Sequence, residues 1–155
     1  MTDSAHVGPH VVPQQAVRGR LALTLGELVA WGEALGRAAR PPLVIGLSGP
    51  LGAGKTVLVQ AICRGYGVTD AVTSPTFAIV HEYAAPRSAV YHIDLYRITG
   101  PDELTALAWD EIVSAQALVF IEWPERAGAR MPAGHLPIDL EYVPGDSERR
   151  YLLAG

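Results

Sequence analysis

A glycine-rich segment, Gly49–Thr56, lies between a continuous apolar run and a stretch with helical spacing. It reads Gly-Pro-Leu-Gly-Ala-Gly-Lys-Thr and matches the phosphate-binding loop pattern G-x-x-x-x-G-K-[ST] at every specified position. The preceding run, Leu43–Ser48, has the length and composition of a strand that is covered on both faces. The following segment, Thr56–Arg64, predicts a helix that ends at Gly65 and Gly67. Because strand, loop and helix follow in this order, the pattern indicates a phosphate site.

The residues of this loop are suited to different contacts with a nucleotide. Gly49, Gly52 and Gly54 permit the backbone conformations that turn successive N–H groups toward an anion at a helix N-terminus. Lys55 is the only lysine of the chain, and its flexible ammonium can reach the β- and γ-phosphates as a point charge. The hydroxyl of Thr56 is a candidate ligand for Mg²⁺. A guanine-reading Asn/Thr-Lys-x-Asp motif needs a second lysine, so the sequence favours ATP over GTP.

Two acidic residues follow strand-like patterns and are candidates for the second magnesium ligand. Glu122 follows Leu118–Ile121, which is uniformly apolar, whereas Asp94 follows the less uniform Val90–Ile93. An ordinary surface position at a strand end is the alternative for either acid. Both can also act together, one near the metal and the other orienting an attacking water. Strand quality favours Glu122 for magnesium.

The other reactive side chains are expected to be structural. His81, His92 and His135 lack metal-ligand spacing, which favours structural or surface positions. Trp123 is interpreted first as a packing residue, with a contact that senses the nucleotide as the alternative. Cys63, in the helix after the loop, fits a small buried apolar filler.

Composition indicates one globular domain. The chain has 155 residues, 49% hydrophobic and 18% charged, and we expect a flexible leader at 1–17 before a single domain at 18–155. The net charge is −4 and the arginines are scattered, so neither DNA binding nor stand-alone RNA binding is expected. No apolar run approaches the ~18 residues of a membrane span. The single cysteine cannot form an internal disulfide and favours a cytoplasmic setting.

The rest of the chain alternates strand and helix patterns. The capping box Thr24-x-x-Glu27 predicts a helix start, and Pro41 with Pro42 predicts its end. Pro101, followed by two acids, predicts another helix start. Strands are expected at 21–23, 79–83, 89–94 and 117–123. A hairpin is expected at 138–153, in which Ile138, Leu140 and Tyr142 face the core and alternate with Asp139 and Glu141 on a solvent-exposed face.

Four blocks follow one another along the chain: Leu51-Gly52-Ala53-Gly54-Lys55-Thr56, Ser74-Pro75-Thr76-Phe77, His92-Ile93-Asp94-Leu95-Tyr96-Arg97 and Ile121-Glu122-Trp123. Together they resemble the ordered signature of the TsaE (YjeE) family, the ATPase component of bacterial threonylcarbamoyl-adenosine synthesis on tRNA. The resemblance spans about residues 21–153. It implies an α/β, P-loop NTPase-like three-layer domain in which helices flank a mixed central sheet.

The resemblance also implies roles for individual residues. Thr56 and Glu122 would bind magnesium, and Asp94 would have a catalytic or switch role beside Lys55. Thr24 would lie near the nucleotide base, and Ser74 to Thr76 would form part of a switch-like segment. The phosphates of ATP would be bound by Gly52, Ala53, Gly54, Lys55, Thr56 and Val57.

An activity and partners are implied in the same way. The expected function is slow, Mg²⁺-dependent ATP hydrolysis that resets transferase subunits of the TsaD and TsaB type after modification of adenosine next to the anticodon. tRNA would be contacted indirectly, through those subunits. The residues leave two alternatives open, a P-loop small-molecule kinase and a nucleotide-dependent binding module without hydrolysis. Segment 125–130 is short for a kinase lid, and two candidate acids argue against the non-hydrolysing module.

Overall fold

The computed structural model describes residues 20–75 and 79–155. The expected leader at 1–17, together with Thr76 and Phe77 of the second signature block, lies outside the described residues. The described strands are β1 (Leu21–Thr24), β2 (Leu43–Ser48), β3 (Val80–Ala84), β4 (Ala89–Asp94), β5 (Leu118–Glu122), β6 (Leu136–Val143) and β7 (Asp146–Ala154). The described helices are α1 (Leu25–Ala38), α2 (Lys55–Tyr66) and α3 (Trp109–Val113), with 3₁₀ helices at Pro101–Leu107 and Pro124–Arg130.

The strands form one seven-stranded mixed sheet in the order β1-β7-β6-β2-β5-β4-β3. At its centre β2 pairs in parallel with β5 and β6, and β5 pairs in parallel with β4. The outer pairs, β3 with β4, β6 with β7 and β1 with β7, are antiparallel. The carboxyl ends of β2, β4, β5 and β6 therefore meet at one edge of the sheet. The glycine-rich loop begins at that edge.

The central strands are buried because helices cover both faces of the sheet. Leu43, Ile45 and Leu47 of β2 belong to the hydrophobic cluster that includes the buried residues of α1 and α2. Val44 belongs to the cluster on the opposite face, with Trp109 of α3. Successive strand residues point to opposite faces, so a strand covered on both sides is apolar throughout. The three-layer α/β architecture with a mixed sheet is confirmed.

Helix α1 begins as its sequence predicts. The hydroxyl oxygen of Thr24 accepts the backbone N–H of Glu27 at 3.3 Å, and the Glu27 carboxylate accepts the backbone N–H of Thr24 at 2.9 Å. These two bonds are the reciprocal capping box. The helix ends at Ala38, shortly before Pro41.

Of the two glycines predicted to end α2, Gly67 is confirmed and Gly65 is wrong. The helix continues to Tyr66, and Gly67, at φ 101°, provides its C-cap. Gly65 instead allows close packing of α1, because a Cβ atom there would lie 2.1 Å from the carbonyl oxygen of Glu33. Gly36 makes the reciprocal approach, since its Cβ atom would lie 2.1 Å from the carbonyl oxygen of Ile62.

Two other segments differ in detail from expectation. The helix that begins at Pro101 is a 3₁₀ helix, and Ala108, at φ 59°, separates it from α3. In the terminal hairpin, Ile138 and Leu140 are buried as predicted, whereas Tyr142 is 48% exposed.

Two smaller expectations concern Cys63 and the membrane. Cys63 is buried, as expected of an apolar filler, and burial raises the pKa of its thiol to about 12. Within the described residues, no helix has both the length and the apolar character needed to cross a membrane.

Candidate nucleotide-binding site

The glycine-rich loop connects β2 to α2 at the carboxyl edge of the sheet. Gly49, Gly52 and Gly54 have φ angles of 149°, 79° and 109°, in the region that side chains with a Cβ atom rarely adopt. Ala53 is buried, and its N–H donates to the carbonyl oxygen of Pro50 at 3.1 Å. The first N–H groups of a helix have no partner within the helix, so the start of α2 offers donors and a positive dipole end to an anion. This geometry fits the phosphate chain of a nucleotide.

Lys55 is held inside this loop. Its side chain is almost buried, with the residue 6% exposed, and its Nζ donates to the carbonyl oxygens of Gly49 and Pro50 at 2.5 and 3.1 Å. Nζ also lies 4.4 Å from the ring centroid of Trp123, a cation–π contact. Burial lowers the pKa of Lys55, and the nearby carboxylates of Glu122 and Asp94 oppose that shift. The ammonium therefore lies where a phosphate would replace carbonyl oxygens as its partner.

The two candidate acids are neighbours in the sheet. Asp94, at the end of β4, is the register partner of Glu122, at the end of β5. Glu122 is 4% exposed, and one of its carboxylate oxygens lies 2.6 Å from Nε2 of His92, a residue of β4 that is completely buried. A surface position for Glu122 or His92 is therefore wrong, and no sequence pattern indicated that the two side chains are bonded.

Asp94 is the more accessible of the two acids. One oxygen of its carboxylate accepts the backbone N–H of Tyr96 at 2.9 Å. Partial burial raises the pKa of Asp94, that hydrogen bond lowers it, and the negative charge of Glu122 raises it further. A carboxyl with a raised pKa is the better proton acceptor, as a general base requires.

One cleft collects the predicted phosphate, metal and catalytic residues. Its volume is about 360 Å³, and the Thr56 hydroxyl oxygen inside it lies 2.6 Å from that of Ser74. This loop cleft is lined by Leu51, Gly52, Gly54, Lys55, Thr56, Val57, Ser74, Asp94, Tyr96, Glu122 and Trp123. The predicted magnesium ligands and catalytic residues all line this cleft, whereas Thr24, Gly49 and the buried Ala53 are not among its walls.

The oxygen atoms that line the loop cleft are suitable ligands for a hard divalent cation. The hydroxyl of Thr56 and the carboxylates of Glu122 and Asp94 are all oxygen ligands, as Mg²⁺ prefers. Within residues 20–75 and 79–155, no three His, Cys, Asp or Glu side chains are grouped to hold a metal by themselves. Magnesium commonly uses one or two carboxylates together with substrate phosphates and water. The arrangement therefore fits magnesium brought with a nucleotide.

Thr24 borders a second cleft, which shares Gly52, Gly54 and Val57 with the loop cleft. This flanking cleft has a volume of about 550 Å³. Its other walls are Leu23, Thr24, Leu25, Gly26, Leu28 and Ala53 beside α1, and Ser147, Glu148 and Arg150 of β7. Thr24 therefore lines a cleft that also includes Gly52 and Gly54 of the glycine-rich loop, and its place near the nucleotide base stays a prediction.

Two residues of the hairpin that were not predicted as site residues contact this region. The hydroxyl of Tyr142 donates to the carbonyl oxygen of Leu51 in the glycine-rich loop at 2.6 Å. The guanidinium carbon of Arg150, the register partner of Tyr142, lies 4.7 Å from the centroid of the Tyr142 ring. Because Tyr142 alternates with Asp139 and Glu141 in the sequence, the pattern predicted an inward position and carried no signal for these contacts.

The arginine-containing segment after β5 packs against the protein. Arg126 donates to the carbonyl oxygen of Ile98 at 2.9 Å, and its guanidinium carbon lies 5.7 Å from the centroid of the Tyr96 ring. Arg130 donates to the carbonyl oxygen of Pro101 at 3.3 Å and pairs with Asp110 at 3.3 Å. These contacts do not resemble a lid that offers arginines to a transferred phosphate.

Taken together, a phosphate-binding loop at the carboxyl edge of a mixed sheet defines a P-loop NTPase-like α/β protein. The family model described as "Threonylcarbamoyl adenosine biosynthesis protein TsaE" matches residues 24–151. The chain belongs to the TsaE family, as the four sequence blocks predicted.

Individual relatives agree with this assignment. A tRNA threonylcarbamoyladenosine biosynthesis protein TsaE of Nostoc sp. is 39% identical over 120 residues, which cover 75% of this chain and 72% of the relative. A protein of the same name from Bacillus subtilis is 38% identical over 111 residues, covering 72% and 68%. The crystal structure of YdiB from Bacillus subtilis superposes with a TM-score of 0.71 at 29% identity, covering 88% of this chain and 85% of that chain.

Proposed function

We propose that this protein is the ATP-hydrolysing component of tRNA threonylcarbamoyladenosine biosynthesis. Relatives named for that pathway align with most of the chain. The observation that carries the hydrolytic part is the loop cleft, which brings Lys55, Thr56, Asp94 and Glu122 together. By hydrolysing ATP in this cleft, the protein would reset transferase subunits of the TsaD and TsaB type, and those subunits would hold the tRNA. A cytoplasmic setting belongs to the same proposal.

The residues of the loop cleft divide the chemistry of ATP hydrolysis between them. Lys55 exchanges the carbonyl oxygens of Gly49 and Pro50 for phosphate oxygens, which are stronger acceptors because they are charged. Asp94 accepts a hydrogen bond from the attacking water and takes its proton. Thr56 and Glu122 would hold magnesium, which when bound neutralises charge on the β- and γ-phosphates.

The flanking cleft is the proposed place of the nucleoside. It continues from the phosphate loop and is large enough, at about 550 Å³, for a base and ribose. Thr24 contributes to its wall, and the hydroxyl of that residue keeps its hydrogen for donation because only its oxygen is used in the capping box. Preference for ATP over GTP remains the proposal because the chain has one lysine.

The hydrolysis rate with and without partners tests this function. We expect slow ATP hydrolysis by the purified protein and a marked increase when TsaD- and TsaB-type subunits and tRNA are added. Asp94→Asn, mixed with the same partners, is the control for contaminating activity. Transfer of phosphate to a small metabolite in the absence of partners would instead identify a kinase and overturn the proposal. Nucleotide binding without hydrolysis under every condition would identify a binding module.

A further inference from the structure

Among residues 20–75 and 79–155, His92 is the one hydrogen-bond partner found for the buried carboxylate of Glu122. Glu122 lies on β5, between β2 and β4, and is 4% exposed. Burial of a carboxylate is unfavourable unless hydrogen bonds from the protein replace those to water. The hydrogen bond to Nε2 of His92, at 2.6 Å, supplies that replacement.

The buried ring of His92 makes its polar contact with Glu122 through one nitrogen only. Its side chain has no exposed surface, and the centroid of its ring lies 6.3 Å from that of Phe120 in an edge-to-face arrangement. Its other ring nitrogen, Nδ1, has no hydrogen-bond partner among the described residues. Nε2 is therefore the ring nitrogen through which His92 makes a polar contact, and that contact is with Glu122.

The strand register explains how the contact arises. His92 and Asp94 lie two positions apart on β4 and therefore on the same face of the sheet. Asp94 is the register partner of Glu122, so His92, two residues before Asp94, lies on the same face of the sheet as Glu122. An ionised carboxylate only accepts hydrogen bonds, so Nε2 of His92 carries the hydrogen. One oxygen of Glu122 is thereby fixed, and the other oxygen is left for the loop cleft.

We propose that His92 is a positioning residue that holds Glu122 so that a single carboxylate oxygen is presented to magnesium. The inference rests on the proposed function, because Glu122 is the assumed metal ligand. Orienting partners of metal ligands typically change metal affinity about 10- to 100-fold when they are removed. His92 itself contacts neither metal nor nucleotide.

The test compares nucleotide affinity with and without magnesium. A non-hydrolysable ATP analogue is titrated in Mg²⁺ and again in EDTA, and the ratio of the two affinities measures the magnesium contribution. His92→Leu, which removes the donor, should lower this ratio about tenfold while affinity in EDTA stays within about twofold of wild type. His92→Gln, which keeps an N–H donor, should retain most of the ratio. An unchanged ratio in a folded His92→Leu protein overturns the proposal.

A matched control is available on the next strand. His81 is the cross-strand register partner of His92, but its Nδ1 lies 3.1 Å from the hydroxyl of Tyr83 rather than near a carboxylate. His81→Leu and His81→Gln should therefore leave the magnesium ratio at the wild-type value. A loss as large as that of His92→Leu would show a general effect of strand packing and would overturn the specific role of His92.

A spectroscopic measurement covers the case in which His92→Leu does not fold. ¹⁵N NMR of the histidine rings of the wild-type protein, with His92→Gln as the assignment reference, should show a hydrogen on Nε2 of His92 that is protected from exchange. A bare Nε2 overturns the proposal without any use of nucleotide. By contrast, a wild-type protein with no magnesium-dependent affinity refutes the proposed function and leaves the hydrogen bond to be judged by NMR.

Discussion

At the scale of single residues, Lys55 is the side chain on which nucleotide affinity depends most. Its ammonium is already desolvated inside the loop, so contact with phosphate requires little further loss of water. A hydrogen bond to a charged group contributes about 1.5–3 kcal/mol. Lys55→Ala should therefore lower ATP affinity about 10- to 100-fold, as measured by calorimetry. Trp123→Phe, which keeps an aromatic ring beside the ammonium, should bind within a few-fold of wild type. Equal losses in both variants would contradict this assignment.

Substitution of Asp94 should reduce the rate of ATP hydrolysis but leave ATP affinity nearly unchanged. Asp94→Asn is close in shape and loses the proton acceptor, so hydrolysis should fall about 10²-fold or more. Single-turnover hydrolysis measures this change, and calorimetry should show ATP affinity within a few-fold of wild type. A variant that hydrolyses ATP at the wild-type rate would transfer the catalytic role to another residue.

The raised pKa of Asp94 also predicts a pH dependence of stability in the absence of nucleotide. Because its folded pKa lies above the ordinary value of 3.8, the folded state binds this proton more tightly than the unfolded state does. Ionised Asp94 thus opposes folding at neutral pH, and the opposition is relieved as the pH falls through the folded pKa toward 3.8. Asp94→Asn should be at least as stable as wild type to urea at pH 7. It should lose that advantage in acid.

At the scale of elements, the glycines between α1 and α2 determine how closely the helices pack. An alanine at Gly65 or Gly36 would place its Cβ atom 2.1 Å from a backbone oxygen. We expect each substitution to destabilise the protein by about 1–3 kcal/mol, although alanine favours a helix by about 1 kcal/mol. Gly26→Ala, also in α1 but with nothing within 4 Å of its Cβ position, should be neutral or stabilising. Urea unfolding measures all three, and destabilisation by Gly26→Ala alone would contradict the packing argument.

The hairpin of β6 and β7 supports the tip of the glycine-rich loop. Tyr142→Phe removes the bond to the carbonyl oxygen of Leu51, and a net hydrogen bond is worth about 0.5–1.5 kcal/mol. We expect ATP affinity to fall about 2- to 10-fold because the loop is less well held. Tyr151→Phe, on β7, is the matched control, because an arginine, Arg20, also lies over the ring of Tyr151, whereas the bond to the carbonyl oxygen of Leu51 is made by Tyr142. Equal losses in both variants would point to the hairpin as a whole.

Features of these elements that depend on local sequence patterns were predicted, whereas features that depend on contacts between distant residues were not. The run Leu43–Ser48 and the capping box at Thr24 are local patterns, and both were located correctly. Gly65 was misjudged because its function depends on the approach of a second helix. The bond between His92 and Glu122 joins residues 30 positions apart, and only the register of β4 and β5 brings them together. Tyr142 was assigned to the core by alternation, although the end of its strand extends over the loop.

At the scale of the whole molecule, nucleotide binding should raise the stability of the entire domain. The loop cleft is lined by the glycine-rich loop, α2 and the ends of β4 and β5, and the flanking cleft adds β1, α1 and β7, so a bound nucleotide would contact elements across the sheet. Unfolding must then release the ligand. A ligand at 100 times its Kd stabilises the folded state by about 2.7 kcal/mol.

That linkage predicts a thermal shift that depends on the complete site. For a domain of this size, 1 kcal/mol corresponds to about 2–4 °C, so saturating Mg²⁺-ATP should raise the Tm of the wild-type protein by about 5–10 °C. Scanning calorimetry with ATP, GTP and inorganic tripolyphosphate separates the two clefts. Tripolyphosphate, which can occupy only the loop cleft, should give a smaller shift than ATP, and GTP should also give a smaller one. In Lys55→Ala, whose ATP affinity is expected to be about 10- to 100-fold lower, the ATP shift at the same concentration should fall to about half or less, and the other two shifts should fall with it. A full ATP shift in that variant would mean that the nucleotide is bound outside the glycine-rich loop.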